Sequence, residues 1–257
     1  MNIETTVPPG SIVPPELDVE PGETVTPGGL YQRIVEHGYV HVRTSLSKEQ
    51  FEELASGIGS IELKTDIKIN LAQDKAQRDA RKVKGRPSAF QAKGFDFHMD
   101  CPAMRVLCWL CIEQDAVDGT MQFLDTKSIL KHFTHEEIET MSRIKIRYSD
   151  MTTHSSNEEF LLEPLVQRSS GGHLVYYQPW LLLDSYDEEQ SRILGQFQTY
   201  LKTIGSDHAI GVRPMPGESV FIDNRRLLHG RAAVSDQSRR HLLRLFVRVP
   251  GTEAPMV

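Results

Sequence analysis

The chain has 257 residues, 39% hydrophobic and 25% charged, with a formal net charge of −6. That length gives one large domain or two small ones with a substantial core. The acidic balance argues against a nucleic-acid partner, which calls for a basic stripe, but a local pair of arginines still attracts a small anion at short range.

Residues 1 to 27 hold several Pro and Gly and no periodicity, so they are expected to form an extended or partly disordered arm. The opening MNIETTVPPGSIVPPELDVEPGE is acidic, without the basic and apolar regions of a signal peptide. No apolar run approaches the roughly 20 residues that span a bilayer. A cytoplasmic protein with no membrane partner is therefore expected. LYQRIVEHG reads as an amphipathic helix ended by Gly38, and YVHVR as a strand. SLSKEQFEELASGIG opens with a capping pattern at Ser47 and continues as a helix with Phe51, Leu54 and Ile58 on one side. The charged stretch 72–88 reads as a solvated helix or a loop that closes over a site.

From 89 to 124 the pattern turns strand-like, through AFQAKGFDFHMD, RVLCWLCIEQ and TMQFLD. The three cysteines, Cys101, Cys108 and Cys111, are odd in number and clustered, which argues against a disulfide framework. Cys108 and Cys111 form a CxxC inside an apolar run and lack a second ligand pair, so they read as buried core residues. Residues 126–143 read as helical with Thr134 as a cap, KIRYSD as a strand, and DEEQSRILGQFQTYLKTI as the clearest helix, started near Asp184 and Ser185. The end reads as strands in ESVFIDN, LLHGRA and RRHLLRLFVRV, separated by turns at Pro216-Gly217 and VSDQS. This order implies one domain over 28–257, mainly β with flanking helices: a β-sandwich or barrel.

Strand alternation carries the chemistry. Residues i and i+2 share a face, so His98 and Asp100 project together and can chelate one cation, with Asp96 as a rival carboxylate or an orienting partner. His229, directly after the apolar strand ESVFI, supplies a third ligand. Two His and one carboxylate on one face leave three positions open, the facial triad of non-haem Fe(II) oxygenases. In the last strand, Arg240 and Arg244 alternate with Leu242 and Phe246 on one face, while His241, Leu243, Leu245 and Val247 take the other. Arginine is rarely buried unpaired, so these two imply bound carboxylates or phosphates.

The order His98-x-Asp100, a long gap, PGESVFIDNRRLLHGR, then Arg eleven and fifteen residues after His229, resembles the Fe(II)/2-oxoglutarate-dependent oxygenases of the taurine dioxygenase group and their clavaminate-synthase-like relatives. The resemblance runs from about residue 28 to the end and is most specific in the C-terminal block. It implies a double-stranded β-helix, or jelly roll, with His98, Asp100 and His229 binding Fe(II), and dioxygen and 2-oxoglutarate as co-substrates. It implies that Arg240 holds the distal carboxylate of 2-oxoglutarate, with Thr120 after Gly119 assisting and Thr126 a weaker match. Arg244 becomes a substrate anchor. Family members that halogenate have a small residue in place of Asp100, so hydroxylation is the expected reaction.

A small carboxylate-bearing substrate, such as an amino acid or an intermediate derived from one, suits Arg244. Tyr176 and Trp180 of YYQPW are expected at the substrate, with Tyr177, Gln178, Gln91 and Lys93 as further candidates. Desaturation, cyclisation or sulfonate cleavage by the same cofactors, and a non-catalytic metal-binding jelly roll acting as a sensor, are the alternatives. Oligomeric state stays open.

Overall fold

The computed structural model describes residues 18–20, 22–80, 87–115, 119–148, 161–169, 172–203 and 207–252. In chain order the strands are β1 (Asp18–Val19), β2 (Tyr39–Val42), β3 (Ser60–Lys68), β4 (Phe95–His98), β5 (Val106–Glu113), β6 (Met121–Asp125), β7 (Lys145–Tyr148), β8 (Leu161–Pro164), β9 (Val166–Ser169), β10 (Gly172–Val175), β11 (Ile210–Val212), β12 (Ser219–Asp223), β13 (Leu227–Arg231) and β14 (His241–Arg248). The helices are α1 (Pro27–His37), α2 (Lys48–Ile58), α3 (Leu71–Ala80), α4 (Thr126–Leu130), α5 (His135–Arg143) and α6 (Glu188–Lys202). A six-stranded sheet in the order β1-β2-β12-β5-β14-β3 faces a four-stranded sheet in the order β11-β6-β13-β4, and β7-β8 and β9-β10 form separate hairpins. The fold is mainly β with helices packed outside.

Alternation sorts the large sheet into two layers. On β14, Leu242 and Phe246 join the core between the sheets, whereas Leu243, Leu245 and Val247 join a second core under α1 and α2. On β5, Leu107, Trp109 and Cys111 face the first core, and Val106, Cys108 and Leu110 the second. That explains the unbroken apolar run VLCWLCI: both faces of a central strand are covered. Cys108 and Cys111 therefore point to opposite faces. All three cysteines are buried and none is in a disulfide, in line with the core reading.

Local signals set the helices. Ser47 and Thr134 each complete a capping box, with Gln50 and Glu137. Gly38, at φ 91°, closes α1. The five apolar positions of α6, Ile193, Leu194, Phe197, Tyr200 and Leu201, are all buried. The start of α6 lies later than expected: Asp187 caps it by accepting from the Gln190 N–H, while Asp184 is turned to Arg147 at 2.8 Å. Residues 89–94 are a loop rather than strand. The Gln91 side chain folds that loop by donating to the carbonyls of Lys93 and Gly94.

Part of the N-terminal segment and residues 81–86 of the charged stretch lie outside the described residues. Asp18–Val19 pairs parallel to β2, and α3 occupies the start of the charged stretch. Among the described residues no helix is long and apolar enough to cross a membrane.

Candidate metal centre

Two adjacent strands of the four-stranded sheet, β4 and β13, bring the three predicted ligands together. His98 ends β4, Asp100 follows it, and His229 sits in β13 directly opposite His98 in the ladder. One donor atom from each lies within 4.8 Å of the others. His98 Nε2 is 3.8 Å from Asp100 Oδ1, His229 Nε2 is 3.5 Å from Asp100 Oδ2, and the imidazole centroids are 4.3 Å apart. His98 Nδ1 is 2.8 Å from the backbone carbonyl of Asp96. That bond puts the ring proton on Nδ1 and leaves the Nε2 lone pair facing the cluster, as a metal ligand requires.

A β-bulge decides the role of Asp96. The ladder pairs His229 with His98 but Arg231 with Phe95, so β4 spends three residues where β13 spends two. Phe95, and not Asp96, then shares the face of His98, and the two rings lie 5.9 Å apart. The simple alternation expected from the sequence fails here. Gly230 makes room for the bulge: a Cβ on it would stand 2.8 Å from the Phe95 carbonyl oxygen. The Asp96 residue is exposed and contributes its carbonyl rather than its carboxylate. It lines a cavity of about 300 Å³ with Phe97, Gln122, Tyr177, Gln198 and Lys202, and none of the three ligands lines that cavity.

Burial and charge tune the cluster. The His98 imidazole is pushed down to about 3, first by burial and then by His229, against the opposing charge of Asp100. Burial alone would raise the Asp100 carboxyl. The hydrogen bond with His229 and the charges of Arg244, His229 and His98 outweigh that and hold it well below the usual carboxylate range. A neutral imidazole beside an ionised carboxylate is the donor set a borderline divalent cation accepts. His229 Nδ1 is buried without a hydrogen-bond partner.

Both arginines of the last strand face this interior. Arg244 Nη1 donates to Asp100 Oδ2 at 3.4 Å, and its guanidinium lies 4.5 Å from the Phe246 ring centroid. Arg240 is 3% exposed, its Nε is buried without a partner, and no carboxylate among the described residues pairs with it. Burial, then the charge of Arg231, lowers its guanidinium to about 9. Gly119, at φ +87°, lies against it: a Cβ there would stand 2.8 Å from Arg240 Cδ.

Thr120 and Tyr176 have other surroundings than expected. In the β6–β13 ladder Met121 is opposite Arg231 and Phe123 opposite His229, which turns Thr120 to the other face. Its methyl would stand 3.3 Å from a Cβ on Gly211, so Gly119 is what this stretch presents to Arg240. Thr126 is buried at the start of α4, and its N–H donates to the Arg226 carbonyl. Tyr176 is a fully buried core residue whose hydroxyl donates to the Arg147 carbonyl. Trp180 does reach the cluster: its ring lies 5.0 Å from that of His98, and its indole Nε1 is buried without a partner. Trp109 packs edge-on against His229 at 5.7 Å.

Asn224, inside DNRRLLHGR, is a positioning residue that no sequence pattern singles out. It is 1% exposed in the turn between β12 and β13. Its Nδ2 donates to the carbonyls of Cys101 and Met104 at 3.1 and 3.0 Å, and its Oδ1 accepts the Asp100 N–H at 3.2 Å. The neighbouring Asp223 pairs with Arg105 at 2.5 Å, and Arg225 Nε donates to the Pro102 carbonyl. The turn that leads to His229 thus fastens the loop that carries Asp100. Asn224→Ala leaves those groups buried and unpaired. It is expected to cost about 2–4 kcal/mol, read as a lower melting temperature, and to weaken metal binding with it.

Comparison with known proteins agrees with this geometry. The family model described as taurine catabolism dioxygenase TauD, TfdA family matches residues 23–246. No curated protein matches the sequence. Among solved structures, an asparagine oxygenase with Fe(II), 3-hydroxyasparagine and succinate superposes with a TM-score of 0.66 at 15% identity, covering 86% of this chain and 78% of that one. The non-haem iron oxygenase OrfP with Fe and α-ketoglutaric acid gives 0.62 at 17%, covering 86% and 78%. PvcB from Pseudomonas aeruginosa gives 0.62 at 17%, covering 87% and 80%. The chain belongs to the TauD, TfdA family, the Fe(II)/2-oxoglutarate-dependent oxygenase group that its His-x-Asp, His and paired-Arg motifs resemble.

Proposed function

We propose that residues 28–257 form one jelly-roll domain that hydroxylates an unactivated C–H bond of a free amino acid or a small amino-acid derivative in the cytoplasm, using Fe(II), 2-oxoglutarate and dioxygen. The observation that carries the reading is the donor set of His98, Asp100 and His229 within 4.8 Å, facing a buried Arg240 that has no carboxylate partner among the described residues.

Iron bound with 2-oxoglutarate and dioxygen supplies C–H oxidation coupled to decarboxylation of the keto acid to succinate. The protein does the holding and excluding. Asp96 fixes the tautomer of His98 through its carbonyl. Asn224 fixes the backbone of Asp100. Trp109 and Trp180 wall the imidazoles and keep water from them. Arg240 offers the distal carboxylate of 2-oxoglutarate a bidentate fork in a dry site. Arg244 reaches the cluster itself, so a substrate carboxylate held by it lies within a few ångströms of the ligands, and its near neighbour carbons are the ones presented for oxidation.

Support for the substrate class comes from relatives of the same fold: one neighbour was solved with 3-hydroxyasparagine and another with (3S)-hydroxy-L-Arg. The test is a succinate-release screen over free amino acids and their simple derivatives. At least one is expected to stimulate succinate release above the substrate-free background and to gain one oxygen atom by mass. Loss of two hydrogens instead would assign desaturation, and no stimulation by any member would overturn the substrate class.

A further inference from the structure

Arg231 lies two residues after His229 on the same face of β13. It is 8% exposed, yet no carboxylate among the described residues pairs with it. Its Nη2 donates to the carbonyls of Gln91 and Lys93, each at 2.7 Å, and its guanidinium lies 5.1 Å from the Phe95 ring centroid. Those contacts satisfy one nitrogen. Nε and Nη1 remain buried without partners.

The same short stretch of chain brings Arg231 close to Arg240. Met121 is the ladder partner of Arg231, and Gly119 lies against Cδ and Nε of Arg240. Residues 119 and 121 lie within about 7 Å of each other along the chain, and the charge of Arg231 acts on the buried Arg240 guanidinium. Two buried cations beside each other repel and are both desolvated, an arrangement that is costly unless an anion completes it.

We propose that Arg231 and Arg240 together form the pocket for the distal carboxylate of 2-oxoglutarate, with Arg231 a second, specificity-determining cation for an acidic over a neutral keto acid. This rests on the reading of the centre as a 2-oxoglutarate site. The competing role for Arg231 is a clamp that only holds the loop 88–94 against β13.

Calorimetric titration of the anaerobic, Fe(II)-loaded protein separates these. The probes are 2-oxoglutarate and 2-oxopentanoate, which has a methyl group where the distal carboxylate stands. Arg231→Gln is expected to weaken 2-oxoglutarate by about tenfold or more and to leave 2-oxopentanoate within twofold, the loss of a charge-assisted contact. Arg240→Gln is the control and is expected to show the same selectivity. If Arg240→Gln discriminates and Arg231→Gln weakens both acids equally, or neither, the pocket has one cation and the inference is overturned while the site reading stands. If Arg240→Gln does not discriminate either, the site reading falls as well. Arg231→Met keeps the packing of the stem, and the same expectations apply to it if Arg231→Gln does not fold.

Discussion

Asp100→Ala is expected to abolish stoichiometric Fe(II) binding and to lower 2-oxoglutarate turnover by about a thousandfold or more, the factor that roughly 4 kcal/mol of lost interaction represents. Asp100 is the only carboxylate of the cluster, and it faces both imidazoles and Arg244. Its removal leaves two imidazole nitrogens to hold a dication beside the Arg244 guanidinium, which repels the metal. Metal content after dialysis and succinate release read the two effects separately. A native circular dichroism spectrum in the variant shows that the loss is local. Retention of one iron per chain in Asp100→Ala would mean the metal is held elsewhere.

Arg240→Gln is expected to raise the dissociation constant for 2-oxoglutarate about a hundredfold, or roughly 2.7 kcal/mol, within the range found on truncating one partner of a buried charged pair. The iron content should not change, because Arg240 is not a ligand. The ligand-free protein is expected to keep or raise its melting temperature. In the absence of an anion the fold holds a desolvated cation that no carboxylate among the described residues pairs with, and removing that charge relieves the desolvation cost. A stability loss as large as the affinity loss would point instead to a structural arginine.

The sequence was readable where one rule governed. Along β14 and the residue before it, alternation between two buried faces assigns Arg240 and Arg244 to the interior, and the structure has them there with Leu242 and Phe246. The ends of α1, α2 and α5 followed from local caps whose hydrogen bonds involve only near neighbours. The role of Asp96 stays open in the sequence, and its expected face is wrong because one extra residue in β4 resets the alternation, and a bulge leaves no mark in a period-2 pattern. β3 was missed for another reason. It is an edge strand whose exposed Glu62, Lys64, Asp66 and Lys68 guard an open side and dilute the apolar signal. Asn224 and Arg231 stood inside DNRRLLHGR, but their partners are backbone carbonyls more than a hundred residues away, which only the fold reveals.

The most direct test of the centre is optical. Anaerobic addition of Fe(II) and then 2-oxoglutarate to the protein should produce a visible charge-transfer band of the iron–keto acid chelate, saturating at one iron per chain. The band should be missing in Asp100→Ala and in His229→Ala, and should need far more 2-oxoglutarate in Arg240→Gln. No band in the wild-type protein, or an undiminished band in Asp100→Ala and His229→Ala, would contradict the assignment of this cluster as the iron site.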